Sequence, residues 1–118
     1  MTPDEINQTI AELFGWTGIY WYEDNQGPAI HVGTPPSIRP PVQYGFRPAA
    51  KIPNYYGDEA VIRQALRDYP ALDEELFVLY LNRIVGRDIA ARFVSVVLAT
   101  GPQLCEAFLQ SVSKWRSQ

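Results

Sequence analysis

The sequence is poor in the side chains on which most small enzymes and metal proteins depend. Its 118 residues include one cysteine, Cys105, and one histidine, His31. A lone thiol excludes an internal disulfide and fits a reducing compartment such as the cytoplasm. One thiol and one imidazole cannot supply the nitrogen and sulfur ligands of a zinc site, so no metal is expected. Glycine-rich phosphate loops and the dinucleotide fingerprint are absent. Ser37 and Ser95 can be written beside His31 and Asp24 as a triad, but neither serine lies in the sharp-turn motif that exposes a nucleophile. No apolar run approaches the roughly 18–20 residues of a membrane span, and the N-terminus is acidic and helix-like. Neither a transmembrane segment nor a signal peptide is expected.

A second scarcity is local. From Asn25 to Gly57 there is no aspartate or glutamate, while Arg39, Arg47 and Lys51 lie within that stretch. The segment therefore carries +3, and the formal net charge of −3 leaves −6 for the rest of the chain. A globally acidic chain lacks the broad basic face that duplex nucleic acid requires, whereas a local basic island suits a small anion.

What is present is an ordinary globular balance, 47% hydrophobic and 19% charged, in a chain long enough for a single domain spanning 1–118. Thr2-Pro3-Asp4-Glu5 writes a helix start, with a capping threonine, a proline that wastes no amide, and the glutamate of a capping box. Ile6, Ile10, Leu13 and Phe14 recur on one helical face, and Gly15 supplies a stop. Thr17–Glu23 and Ala29–Gly33 predict a hairpin around the turn residues Gln26-Gly27-Pro28.

Six prolines between Thr34 and Asn54 (35, 36, 40, 41, 48 and 53) forbid a helix or a central strand there. The expectation is a long, stiff, extended loop with a short edge strand at Val42–Phe46. Gly57-Asp58 opens a second helix that Pro70 stops, and Asp73 opens a third over Phe77, Tyr80, Leu81, Ile84 and Val85. Those last residues also favour strand, so a strand from Phe77 to Val85 competes. Arg92–Ala99 reads as a buried strand, and Thr100-Gly101-Pro102-Gln103 as a capping box for a last helix carrying Leu104 to Trp115. This order predicts an α+β fold, a three-layer helix/antiparallel sheet/helix sandwich with a long proline-rich loop.

Three segments are similar to one family. T-P-D-E-I…I-A-E-L-F-G-W (Thr2 to Trp16), I-P-N-Y-Y-G-D (Ile52 to Asp58) and A-T-G-P-Q-L-C-E-A-F-L-Q-S-V-S-K-W (Ala99 to Trp115) resemble the phage ABA sandwich domain proteins. The resemblance implies the same layered fold and a phage or prophage origin. It implies no activity, and the proline-rich stretch from Gly33 to Ala50 departs from the family's pattern.

The candidate site is made of rings and cations. Tyr20 and Tyr22 flank Trp21 on a strand, so side chains of this cluster point to both faces. Tyr44, Tyr55 and Tyr56 accompany Arg39, Arg47 and Lys51 along the carboxylate-free loop. Aromatic faces stack on bases and cations hold phosphate oxygens. The helix start at Gly57-Asp58 can offer amide donors to an anion, with Asp58 competing for them. The same rings can equally cap a thin core with their polar tips wet.

The functional expectation is a non-enzymatic, cofactor-free phage protein, homo-oligomeric in the host cytoplasm. It would bind a small anion such as a cyclic nucleotide and sequester it from host defence. The alternative is a protein–protein module that inhibits a host enzyme or serves virion assembly, with the Tyr20–Tyr22 strand as anchor. Duplex nucleic acid and membrane are not expected partners.

Overall fold

The computed structural model describes residues 1–23, 27–36, 49–86 and 96–116. It is an α+β chain with a three-stranded antiparallel sheet and several helices. Its contacts divide it into two compact units, one formed by Asn7–Pro53 and the other by Met1–Ile6 with Asn54–Gln118. Among the described residues no helix is long and apolar enough to cross a membrane.

Helix α1 (Pro3–Leu13) begins where the sequence places it. Thr2 Oγ1 accepts the Glu5 amide at 3.2 Å and its hydroxyl donates to Glu5 Oε1 at 3.1 Å. Ile6, Ile10 and Ala11 are buried along one face, and Gly15 turns left-handed at φ 96° to end the helix.

The hairpin forms as expected, with β1 (Thr17–Tyr22) antiparallel to β2 (Ile30–Thr34). Its register holds a feature the alternation does not announce. Thr17 pairs with Thr34 and Tyr20 with Val32, so β1 carries one extra residue between them. Gly18, at φ 57°, takes the left-handed conformation that such a bulge needs. Gly33 lies across from the bulge, where a Cβ would sit 2.9 Å from Ile19 Cγ1 and 3.2 Å from the Thr17 carbonyl oxygen. Only a glycine lets the strands approach that closely.

A third strand, β3 (Ala50–Lys51), pairs antiparallel with β2 through Val32 with Lys51 and Gly33 with Ala50. It lies at the sheet edge between Pro48 and Pro53, where missing donors do least harm. The proposed edge strand at Val42–Phe46 falls outside the described residues, as does most of the proline-rich loop.

In the other unit each helix starts on a side chain. Asp58 caps α2 (Glu59–Asp68) and Asp73 caps α3 (Glu74–Val85), which ends at Gly86 with φ 74°. The competing strand over Phe77–Val85 is thus not formed, because Asp73 and Gly86 close a helix around that segment. Thr100 and Gln103 exchange the reciprocal bonds of a capping box at the start of α4 (Gly101–Ser111). Helix α4 buries Leu104, Cys105, Ala107, Phe108 and Leu109 and packs on α2 and α3, with Tyr69 set edge-on to Phe108 at 5.1 Å. It stops before Trp115, because left-handed Ser113 turns the chain so that the Lys114 and Trp115 amides both reach the Leu109 carbonyl.

One element is corrected where it is described, residues 92–95 lying outside the described residues. The described end of the segment Arg92–Ala99 is helical over 96–98, not a buried strand, and Val97 and Leu98 are 66% and 63% exposed. Its β-branched residues favour a strand, but a tertiary clamp overrides them. Arg63 donates to the carbonyls of Val96 at 2.9 Å, Val97 at 3.2 Å and Ala99 at 3.0 Å. A helical turn presents its last carbonyls together, and a cation at that end also answers the helix dipole.

Candidate functional site

Sheet register decides which candidate side chains meet. Tyr20 is paired with Val32 and Val32 with Lys51, so all three project from one face. Tyr22, paired with Ile30, lies on that same face two residues along β1. The spacing of a strand puts the Tyr20 and Tyr22 side chains about 7 Å apart at their bases, and Lys51 about 10 Å away across β2. Val32 is buried between these walls, while Tyr20, Tyr22 and Ile30 are roughly half-exposed and Lys51 is exposed. Two rings, an aliphatic floor and one ammonium therefore share a face that carries no carboxylate on its three strands.

The opposite face holds Trp21, which lies flat on His31 with ring centroids 4.3 Å apart and planes 6° from parallel. His31 is buried while Trp21 is 48% exposed. The buried imidazole is thus the support of an aromatic shelf.

Tyr55 is corrected as a stacking residue. It belongs to the other unit and is buried at 4% exposure, and burial pushes its hydroxyl up to about 12. A ring with no free face cannot receive a base. Its carbonyl accepts the Cys105 thiol at 3.3 Å. Tyr56, half-buried, lies in that unit too, where its carbonyl would be 3.2 Å from a Cβ on Gly101 and so keeps the α4 start tight. Asp58 Oδ1 accepts the amides of Ala60 at 3.1 Å and Val61 at 3.4 Å, which fills the anion seat that the α2 start offered. Arg39, Tyr44 and Arg47 lie outside the described residues.

The nucleophile and metal inventories are equally specific. Among the described residues no three of His, Cys, Asp and Glu converge as a metal site. Cys105 is fully buried, and burial raises its thiol to about 12. Thiolate, the reactive form, is therefore scarce at neutral pH. We expect a disulfide reagent to label native protein at least about a hundredfold more slowly than denatured protein; stoichiometric labelling of the native fold would contradict the burial. The same groups set an alkaline limit. Cys105 and Tyr55 stay protonated in the folded chain at pH values where the unfolded chain ionises them. Their stabilisation is intact below about pH 9 and is lost as pH rises toward 12, with up to two protons released on unfolding. A melting temperature independent of pH over that window would contradict it.

A separate groove of about 350 Å³ lies in the helical unit between α2, α3 and α4, floored by Leu66, Phe77 and Leu104. Arg63 and Arg67 line it with Glu74, and the Arg63 guanidinium is already committed to carbonyls and to Glu59 at 2.8 Å. No family model, curated protein or solved structure matches the chain.

Proposed function

We propose that the chain is a non-catalytic binding protein whose open sheet face holds a small, flat, negatively charged molecule of the nucleotide class and keeps it from its receptor. One observation carries the reading: strand register gathers Tyr20, Tyr22 and Lys51 on one accessible, carboxylate-free face. Rings about 7 Å apart suit the stacking of a planar base, and an ammonium two strands away suits a phosphate. Arg39, Tyr44, Arg47 and Tyr56 join the proposal from the sequence alone, as members with Lys51 of the carboxylate-free segment.

The resemblance to phage ABA sandwich proteins supplies the biological setting. In that setting the fold is a three-layer helix/antiparallel sheet/helix sandwich with a long proline-rich loop. The protein forms a small homo-oligomer in the cytoplasm of the infected cell and titrates a cyclic-nucleotide immune signal. No chemical step, metal or cofactor is part of this reading.

Calorimetric titration with cyclic dinucleotides, cyclic trinucleotides and cyclic ADP-ribose isomers tests it. The expected result is saturable binding of one class with the ligand recovered unchanged. Tyr20→Ala and Lys51→Ala should each weaken it about tenfold or more without lowering the melting temperature. Flat isotherms across the panel would overturn the proposal.

A second reading is a protein-binding module. It is favoured by three consecutive half-exposed aromatic side chains, Tyr20, Trp21 and Tyr22, at 47–49% exposure. Capture of a host protein by wild type but not by Tyr20→Ala would favour it.

A further inference from the structure

Among the described residues strand β1 has a bare edge that neither a ligand face nor core packing explains. The strand order is β1-β2-β3, so among the described residues β1 pairs with β2 on one side only. Among the described residues nothing hydrogen-bonds to its outer edge. Edge strands are usually guarded by lysine, proline or inward charge, and Thr17–Tyr22 has none of these. Tyr20 and Tyr22 on one face and Trp21 on the other are all half-exposed. Unpaired ladder groups are matched only by another strand, and the exposed halves of the rings flank that edge.

We infer that the occupant is β1 of a second copy, added antiparallel about a twofold axis to make one continuous six-stranded sheet. Symmetry then fixes the register. Residues directly opposite in a ladder share a face, and neighbours along a strand alternate. A twofold axis perpendicular to the sheet therefore requires one residue to face its own copy. The bulge at Gly18 and Ile19 leaves Tyr20–Tyr22 as the regular part of the strand, which places Trp21 at the axis.

Tyr20 then pairs with Tyr22 of the second copy, and Tyr22 with Tyr20. The central indole is already held flat by His31, so little side-chain freedom is lost on pairing. Glu23, the nearest charge, faces Ile19 of the other copy and stays about 13 Å from its counterpart along the strand, beyond the screening length of about 8 Å.

The area sets the strength. Three half-exposed aromatic side chains offer about 200–350 Å² per copy. Doubled, that falls short of the roughly 1,200–2,000 Å² of a stable interface. The dimer is therefore reversible, dissociating on dilution into the micromolar range.

Sedimentation velocity from about 1 to about 500 μM, where an interface this small associates, tests the pairing. Wild type should pass from monomer to dimer across that range. Trp21→Lys should remain monomeric, because it sets two ammonium groups face to face, whereas Trp21→Phe should still dimerise. Tyr22→Lys serves as a second disrupting variant should Trp21→Lys lose its fold by circular dichroism. Under mild oxidation Trp21→Cys should yield a disulfide dimer, since directly opposed Cα atoms fall within about 4.4–6.8 Å. Ile19→Cys should not, because its copies are about 13 Å apart. Buried Cys105 does not compete for the crosslink. A wild-type monomer at the highest concentration overturns the inference. So does a Trp21→Lys dimer, or crosslinking of Ile19→Cys as readily as Trp21→Cys. A monomer that still binds nucleotide removes the pairing and leaves the ligand reading standing.

Discussion

Arg63→Ala should lower stability by about 2–4 kcal/mol, more than its position on a half-exposed helix would suggest. The guanidinium donates to three carbonyls on a segment 33–36 residues away, and the bonds to Val96 and Ala99 are partly buried. Truncation leaves the partly buried Val96 and Ala99 oxygens without their donor, and each orphaned buried acceptor costs about 1–3 kcal/mol. The ion pair with Glu59 contributes little by comparison, since Glu59 is 53% exposed and such pairs are worth about 0–1 kcal/mol. Glu59→Ala should accordingly be nearly silent.

Arg63→Lys should recover only part of the loss, because one ammonium cannot reproduce a planar fork spread over three acceptors. For a chain of this length the alanine variant should melt roughly 8–16 °C lower. A drop below about 3 °C in thermal unfolding would mean that the clamp is not what holds the 96–98 turn.

The second large effect has the opposite sign. Asn82→Leu should raise stability by about 1–2 kcal/mol, or roughly 4–8 °C. Asn82 is 3% exposed on α3, and neither Nδ2 nor Oδ1 has a hydrogen-bond partner among the described residues. An amide desolvated without partners is a net loss that a leucine of similar volume removes. Its backbone carbonyl still receives the Gly86 amide, so the helix end survives the change. Asn82→Asp should be severely destabilising, since it buries a charge with nothing to answer it. If Asn82→Leu melts lower than wild type, the amide has a partner and the site is not an orphan.

The two variants also show which parts of the chain its letters reveal. Helix starts at Thr2, Asp58, Asp73 and Thr100, and the stop at Gly86, are readable because each cap bonds an amide or carbonyl only a few residues away. The β1–β2 hairpin is readable for the same reason. The 96–98 turn is not, because its β-branched residues point to a strand while the contact that decides its form comes from Arg63.

β3 escapes notice because two residues between prolines show no alternation; only pairing with β2 reveals them. The candidate face is divided likewise. Tyr20 and Tyr22 follow from strand alternation, but their sharing a face with Lys51 depends on a register set by the Gly18 bulge and a long-range pairing. Tyr55 looks available in the sequence because neighbouring tyrosines and prolines suggest a loop; the core it enters is assembled from α4.

The brevity of β3 has a dynamic consequence for any guest of that face. Among the described residues, two register pairs and the Ile52 amide on the His31 carbonyl, 3.0 Å long, fasten the strand to its neighbour. So slight a seam breaks at lower free energy than the longer β1–β2 ladder beside it. Lys51 therefore rides on the least tethered edge of the sheet, and a phosphate that engages it would fasten the third strand as it binds. Part of the attraction would be spent on that ordering, and protection of the Ile52 amide against hydrogen exchange would rise in step with occupancy.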